Sequence, residues 1–200
     1  MLEHRAPLAQ LSRPHGSSTI GAPGLRVVAV ENQGFVLIQG DPGDSFLHKA
    51  IREQIGVAVP GPQVASISGE YALLWMAPKQ WLLELPAARA LTVQAALVNR
   101  LGPALAAAID ISDALACFDV SGDAAVDVLM TGCTLELHSH AFAANRVART
   151  ALAGVPLIVW RPGNPGHFRC LVDRSFADHF WTWLAEAPAN QFNSIRSRRL

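Results

Sequence analysis

Apolar residues fall in short clusters separated by Gly- and Pro-rich breaks, and the clusters alternate between strand and helix periods. Phe35-Val36-Leu37-Ile38 is an apolar run of strand length. Gly40-Asp41-Pro42-Gly43-Asp44 then predicts a helix start, with Asp41 as N-cap, Pro42 at the first helical position and Asp44 at the third. Leu47, Ile51 and Ile55 follow on one stripe, and Gly56 suits the helix end. After Pro60-Gly61-Pro62, the runs Tyr71-Ala72-Leu73-Leu74-Trp75 and Trp81-Leu82-Leu83-Glu84-Leu85 flank the turn Ala77-Pro78-Lys79-Gln80, which predicts a β-hairpin. A second helix over 88–101 places Leu91, Ala95 and Val98 on one face and stops at Gly102-Pro103.

The same order returns in the second half. Phe118-Asp119-Val120-Ser121-Gly122-Asp123 echoes Leu37-Ile38-Gln39-Gly40-Asp41, and a helix with Val126, Leu129 and Met130 ends at Gly132. Leu157-Ile158-Val159-Trp160 and Phe168-Arg169-Cys170-Leu171-Val172 make another hairpin around Arg161-Pro162-Gly163-Asn164-Pro165-Gly166. Gly40 to Trp75 is 35 residues and Gly122 to Trp160 is 38. The shared order and spacing predict an α+β fold of two tandem ferredoxin-like halves, a degenerate duplication spanning about 25–105 and 106–186.

Outside the halves, residues 1–24 hold prolines, glycines and Gly16-Ser17-Ser18-Thr19 without a sustained period and read as an extended tail. Residues 187–200 read as a C-terminal tail. A closing helix from Ser175 has Ser175 and Asp178 in capping-box positions, Phe176, Phe180 and Trp183 on one stripe, and Trp181 away from it. Aromatics on two faces need two surfaces, either both within the fold or one in a subunit interface.

Composition narrows the classes. Half of the 200 residues are hydrophobic, only 16% are charged, and Lys+Arg equals Asp+Glu at 16 each. A chain with no net charge offers no electrostatic footprint for nucleic acid, and its low charge favours association. Cys117, Cys133 and Cys170 are odd in number and form no C-x-x-C pair, so they read as buried small hydrophobes. No apolar run reaches membrane-spanning length and the N-terminus lacks a signal-like apolar region, so the expected compartment is cytoplasmic.

Searching for chemistry yields mainly exclusions. Neither a dinucleotide glycine fingerprint, a Walker loop, G-x-S-x-G nor H-E-x-x-H occurs. His138-Ser139-His140 would share one face in a strand, with Glu136 or Cys133 as a third zinc ligand, against the simpler reading of surface histidines. His48 and His179 read as polar-face residues. Asp110 and Asp113 could form an acid–base pair but fit capping or turn-making better, and adjacency alone does not make Ser112-Asp113 a nucleophile pair. No catalytic, cofactor-binding or metal-binding residue is assigned to the chain.

A set of ordered motifs does carry a resemblance. Asp110-Ile111-Ser112-Asp113, Ser121-Gly122-Asp123-Ala124, Gly132-Cys133-Thr134-Leu135-Glu136-Leu137-His138, Ala141-Phe142, Val159-Trp160-Arg161 and the stretch from Val172 through Trp183-Leu184 resemble the γ subunit of heterotetrameric sarcosine oxidase. Pro78-Lys79-Gln80-Trp81-Leu82-Leu83 is similar to the proline-to-tryptophan turn of that family's first half. Ala114-Leu115-Ala116 departs from the family, whose members often carry a small residue and Arg after the Asp.

The resemblance implies the duplicated fold of the folate-binding aminomethyltransferase of glycine cleavage. It also implies a cytoplasmic assembly of α, β, γ and δ chains that oxidises sarcosine to glycine, releases hydrogen peroxide and passes the one-carbon unit to tetrahydrofolate. In such assemblies FAD, FMN, NAD and tetrahydrofolate belong to the large chains and zinc to δ, while γ docks on α without a cofactor of its own. Trp181, Trp183, Phe180, Arg161 and Arg174 are the candidate docking residues, as aromatic anchors and carboxylate-forking guanidinium groups, with core packing as the rival role for the three aromatics and the favoured one for Phe180. Alternatives are the γ subunit of a related N-methyl amine dehydrogenase or oxidase, and a free-standing folate-binding module that uses the cleft between the halves.

Overall fold

The computed structural model of the chain describes residues 19–102, 105–164 and 166–197, with backbone alone from 188 onward. In chain order they form β1 (Thr19–Ala22), β2 (Leu25–Val30), β3 (Gln33–Gln39), α1 (Ser45–Ile55), β4 (Ala65–Ser68), β5 (Tyr71–Ala77), β6 (Gln80–Pro86), α2 (Ala87–Leu101) and β7 (Ala107–Asp110). β8 (Leu115–Ser121), α3 (Ala125–Gly132), β9 (Val147–Leu152), β10 (Val155–Trp160), β11 (His167–Asp173) and α4 (Ala177–Ser197) complete the chain. None of these helices is long and apolar enough to cross a membrane.

The five-stranded unit comprises Asn32–Leu115 with Asn145–Ala148. Its sheet order is β4-β5-β6-β3-β7, and each adjacent pair is antiparallel. With β4 set aside, β3-α1-β5-β6-α2-β7 is the split βαβ arrangement of a ferredoxin-like fold. α1 and α2 cover one sheet face, where Leu47, Ile51, Val93 and Leu97 pack on Val36, Ile38, Leu73, Leu83 and Ala108. The β5–β6 hairpin turns through Pro78 and Lys79, whose φ of 67° is the conformation that a type II turn requires there.

Among the described residues the six-stranded unit comprises 19–31, Ala116–Ala144 and the stretch from Arg149 to Ser197. Its order is β1-β2-β8-β11-β10-β9. β8-α3-β10-β11-α4 repeats β3-α1-β5-β6-α2, but the place of β7 is taken by β2 from the N-terminal side. The registers agree: Ile38 faces Ala108 and Gln39 faces Ala107, as Val120 faces Val27 and Ser121 faces Arg26. At the strand ends the N–H of Gly40 donates to Lys79 at 3.0 Å, and that of Gly122 donates to Gly166 at 3.1 Å.

The duplication is therefore present, but the expected boundaries are not. β2 leaves the first half because five of its residues pair with β8, and β7 joins the first half because it pairs with β3. The expected tail of 1–24 includes β1, which pairs with β2 from Thr19 to Ala22; its residues 1–18 lie outside the described residues. Backbone of the expected C-terminal tail continues α4 as far as Ser197.

Several local expectations shift by a turn. α1 is capped by Asp44, which accepts the Phe46 N–H at 2.8 Å, while Asp41 accepts the Gly43 N–H and stabilises the preceding turn. Gly56 ends α1 at φ 69°, as the sequence predicts. α3 buries Ala125, Val128 and Leu129, a stripe rotated from the one expected. α4 starts after a 3-10 turn over Arg174–Phe176, and that turn is capped by Asp173, which accepts from both the N–H and the hydroxyl of Ser175.

Candidate functional site

Asp110, Ile111 and Ser112 form a polar staple at the end of β7. Asp110 Oδ1 accepts the Ser112 N–H at 2.9 Å and its hydroxyl at 2.5 Å, and Ser112 Oγ accepts the buried N–H of Phe35 at 2.9 Å. Ile111 N–H donates to the Phe35 carbonyl, closing the ladder to β3. Gly34 is required beside it, since a Cβ there would lie 2.9 Å from Ala90 Cβ and 3.1 Å from Ala87 Cα. The aspartate–serine pair is a turn-maker, with its proton acceptor already committed.

In the six-stranded unit Asp119 on β8 meets His167 and Arg169 on β11. Its carboxylate accepts Arg169 Nε at 2.9 Å and Nη2 at 3.1 Å, and His167 Nε2 lies 3.0 Å away. Burial opposes its charge, but the bonds from His167 and Arg169 outweigh that and hold its pKa at about 2. Sequence reasoning missed this group, although the polar residues at period 2 in β11, His167 and Arg169, were the available signal. Glu84 was also missed: it is a carboxylate at 1% exposure within the apolar run of β6, cross-strand from Phe35 and Ala72.

The histidine pair does not sit in a strand. Glu136 accepts the His138 N–H at 2.9 Å and lies 2.6 Å from its Nδ1, which lowers its pKa below the usual carboxylate range. His140 stacks on His138. Cys133 is buried and engaged with Thr150 and the Leu135 N–H. Among the described residues no three His, Cys, Asp or Glu side chains gather as a metal-binding group. Burial pushes the Cys170 thiol well above its ordinary pKa, so it is an inert core group.

Two clefts open on the five-stranded unit. One, of about 570 Å³, is lined by Gly40, Asp41, Pro78, Lys79 and Leu105. The other, of about 320 Å³, lies among Pro42, Pro60, Pro62, Trp75 and Trp81. Several polar groups of the two bond within the chain: Lys79 with Asp41 at 3.5 Å, Trp81 Nε1 with the Pro60 carbonyl at 3.1 Å, and His48 Nε2 with the Pro42 carbonyl at 2.8 Å. Such walls do not converge donors on a ligand in the manner of a substrate site.

Three of the five expected docking residues are buried in their own chain. Phe180 and Trp181 both lie on the buried face of α4, their rings tilted against Phe118 at 5.2 and 6.0 Å between centroids. Arg161 donates to the Phe142 carbonyl at 2.8 Å and lies over the Phe168 ring. Burial in their own chain is the core role weighed for Phe180 and Trp181 in the sequence. Trp183 is half-buried and packs over Gly132, where a Cβ would come within 2.6 Å of its ring. Arg174 is half-exposed at the start of α4, next to the exposed Phe176.

α2 carries the stripe read from the sequence on its outer side. Its buried face is Ala90, Val93, Leu97 and Leu101, so the apolar stripe Leu91, Ala95 and Val98 is the exposed one. The side chains available for contact, rather than for chemistry, are therefore concentrated on this unit.

Residues 39–190 match the sequence profile of the sarcosine oxidase, gamma subunit family. Sarcosine oxidase subunit gamma of an Arthrobacter species is 33% identical over 187 residues, covering 92% of this chain and 89% of the relative. The chain belongs to the sarcosine oxidase gamma subunit family. The subunit gamma of Corynebacterium sp. strain P-1 is 32% identical over the same length and coverage. A chain in the solved heterotetrameric sarcosine oxidase of Corynebacterium sp. U-96 superposes with a TM-score of 0.82 at 26% identity, covering 93% of this chain and 95% of that one.

The glycine cleavage aminomethyltransferase of Bartonella henselae shares the fold, with a TM-score of 0.61 at 15% identity over 89% of this chain and 56% of that one. The two antiparallel sheets thus confirm the α+β fold expected from the gamma-subunit resemblance. The motifs that carried it have structural roles: Asp110-Ile111-Ser112 staples β7, Gly122 packs on Gly24, and Arg161 ties β10 to Phe142.

Proposed function

We propose that this chain is the γ subunit of a heterotetrameric sarcosine oxidase, a flavoenzyme complex that converts sarcosine to glycine, hydrogen peroxide and methylenetetrahydrofolate. The observation that carries the proposal is its alignment with sarcosine oxidase gamma subunits across 92% of its length. The chain docks on the α subunit within an assembly that also contains β and δ, and works in the cytoplasm. FAD, FMN, NAD and tetrahydrofolate are held by the large partner chains and zinc by δ.

The side chains of this chain support a non-catalytic part. Ser112 and Asp110 bond to each other, Asp119 is bonded by Arg169 and His167, and in the smaller cleft Trp81 and His48 bond to backbone carbonyls. Docking needs only shape and exposed apolar area, which the fold supplies. A tagged copy expressed in its own organism tests the proposal. Flavin-bearing chains in equal proportion and sarcosine-dependent peroxide in the eluate are expected; a folded chain eluting alone and colourless overturns it.

A further inference from the structure

The two halves follow one plan, and their central strands are interchangeable by length and period. β3 and β8 are each seven residues long with the same order of buried and partly buried positions, and β6 and β11 are also seven residues each. Apolar patterning alone would therefore accept β8 beside β6, or β3 beside β11, and such exchange is a characteristic failure of duplicated chains.

One row of side chains tells the two sheets apart. The Gly40 N–H donates to the Lys79 carbonyl in the five-stranded sheet as the Gly122 N–H donates to the Gly166 carbonyl in the six-stranded one. Counted in equal steps from those bonds, Leu37 corresponds to Asp119 and Leu82 to Arg169. In the five-stranded sheet Leu37, Leu82 and Leu74 stand side by side on β3, β6 and β5. In the six-stranded sheet their places are taken by Asp119 on β8, Arg169 on β11 and Trp160 on β10. His167, in the place of Gln80, adds a further partner: its Nε2 lies 3.0 Å from the Asp119 carboxylate, beside the bonds of 2.9 and 3.1 Å from Arg169.

Stability does not explain this exchange of leucines for charges. The Asp119, Arg169 and His167 side chains are 24%, 20% and 23% exposed, so each gives up much of its hydration. A desolvated ion pair is commonly no better than apolar side chains of similar volume, and the first half makes the same row from leucines. What the charges add is selectivity. Asp119 meets its partners on β11; beside β6 it would lie against Leu82, which is 1% exposed. Arg169 beside β3 would likewise lie against Leu37. A desolvated charge parted from its counter-charge penalises each wrong pairing far more than the matched row stabilises the right one.

We propose that Asp119, Arg169 and His167 act as a pairing label that brings β8 to β11 and keeps the strands of the two halves from exchanging as the chain folds. The label goes beyond the subunit reading and does not depend on it.

The test uses the full-length chain, reading the fraction recovered as folded monomer both after expression at equal synthesis and after dilution from urea. Asp119→Leu/Arg169→Leu/His167→Gln gives the six-stranded sheet the row of the other sheet. It is expected to lower recovery about threefold or more, while the monomer that is recovered melts within about 5 °C of the parent. Asp119→Arg/Arg169→Asp, which reverses the pair but keeps it complementary, is expected to recover like the parent. So is Glu70→Leu/Arg89→Leu, which removes one charge of each sign from an exposed pair outside this row.

A leucine variant that recovers like the parent overturns the proposal, as does a reversed pair that recovers as poorly as the leucine variant. An equal fall for Glu70→Leu/Arg89→Leu also overturns it, since loss of charge anywhere then suffices. A leucine-variant monomer that melts more than about 5 °C below the parent makes the row a stabiliser and not a label.

Discussion

Removing one hydroxyl at Ser112 is expected to loosen the end of the five-stranded sheet. Its oxygen accepts the buried Phe35 N–H at 2.9 Å and its proton goes to Asp110 at 2.5 Å. In Ser112→Ala the Phe35 amide loses its acceptor where water has little access, because Ser112 is only 8% exposed. An orphaned buried amide costs about 1–3 kcal/mol, and loss of a bond to a carboxylate adds about 1 kcal/mol net. The expected destabilisation is about 2–4 kcal/mol, or roughly 4–16 °C in Tm for a chain of this size. Urea unfolding followed by tryptophan fluorescence measures it, and hydrogen exchange localises it to the Phe35 amide. Asp110→Asn, which keeps a side-chain oxygen as acceptor, should lose about half as much or less. A Ser112→Ala protein within about 0.5 kcal/mol of the parent, with Phe35 exchange unchanged, refutes the reasoning.

Other perturbations follow from particular contacts. The Asp119 carboxyl is held below its unfolded value of 3.8, at about 2, so its contribution of about 2 kcal/mol is present above pH 3.8 and fades as pH falls towards 2. Asp119→Asn should therefore melt well below the parent at pH 7, with the gap closing towards pH 2; an equal gap at both pH values contradicts this. Gly122→Ala would place a Cβ 2.2 Å from the Gly24 carbonyl oxygen at a φ of 115°, and is expected to cost about 3 kcal/mol or more, seen as loss of soluble folded chain. Arg161→Met keeps the stem but removes the bond to the Phe142 carbonyl; a Tm drop of several degrees is expected from an amount of about 1–3 kcal/mol, and an unchanged melt argues that the loop holds itself.

Elements with a clean period are legible in the amino-acid sequence alone. β3 and β8 carry the same order of buried and partly buried positions, and the hairpins around Pro78-Lys79 and Gly163-Asn164 are marked by their turn residues. What periodicity does not decide is which partner each element meets. α2 has two apolar stripes of similar strength, and only the sheet beneath selects Ala90, Val93, Leu97 and Leu101 for burial. Trp181 looks displaced from the stripe of Phe180 by 100° of helix, yet a bulky pair can flank one wide buried face, and both pack near Phe118.

The domain boundaries are hidden for a related reason. A strand such as Leu25–Val30 carries a period but not the address of its partner, and β2 pairs across about 90 residues with β8. Family motifs are legible as a sequence of short phrases, and most prove to be packing and capping devices. The contact surface is not legible, because an apolar residue reads alike whether it meets its own core or another chain.

The most direct test of the subunit account is assembly of the large and small partner chains with and without this one. The account predicts a heterotetramer of the expected added mass, with sarcosine-dependent peroxide that falls when the chain is withheld. An assembly of unchanged mass and activity in its absence contradicts the account.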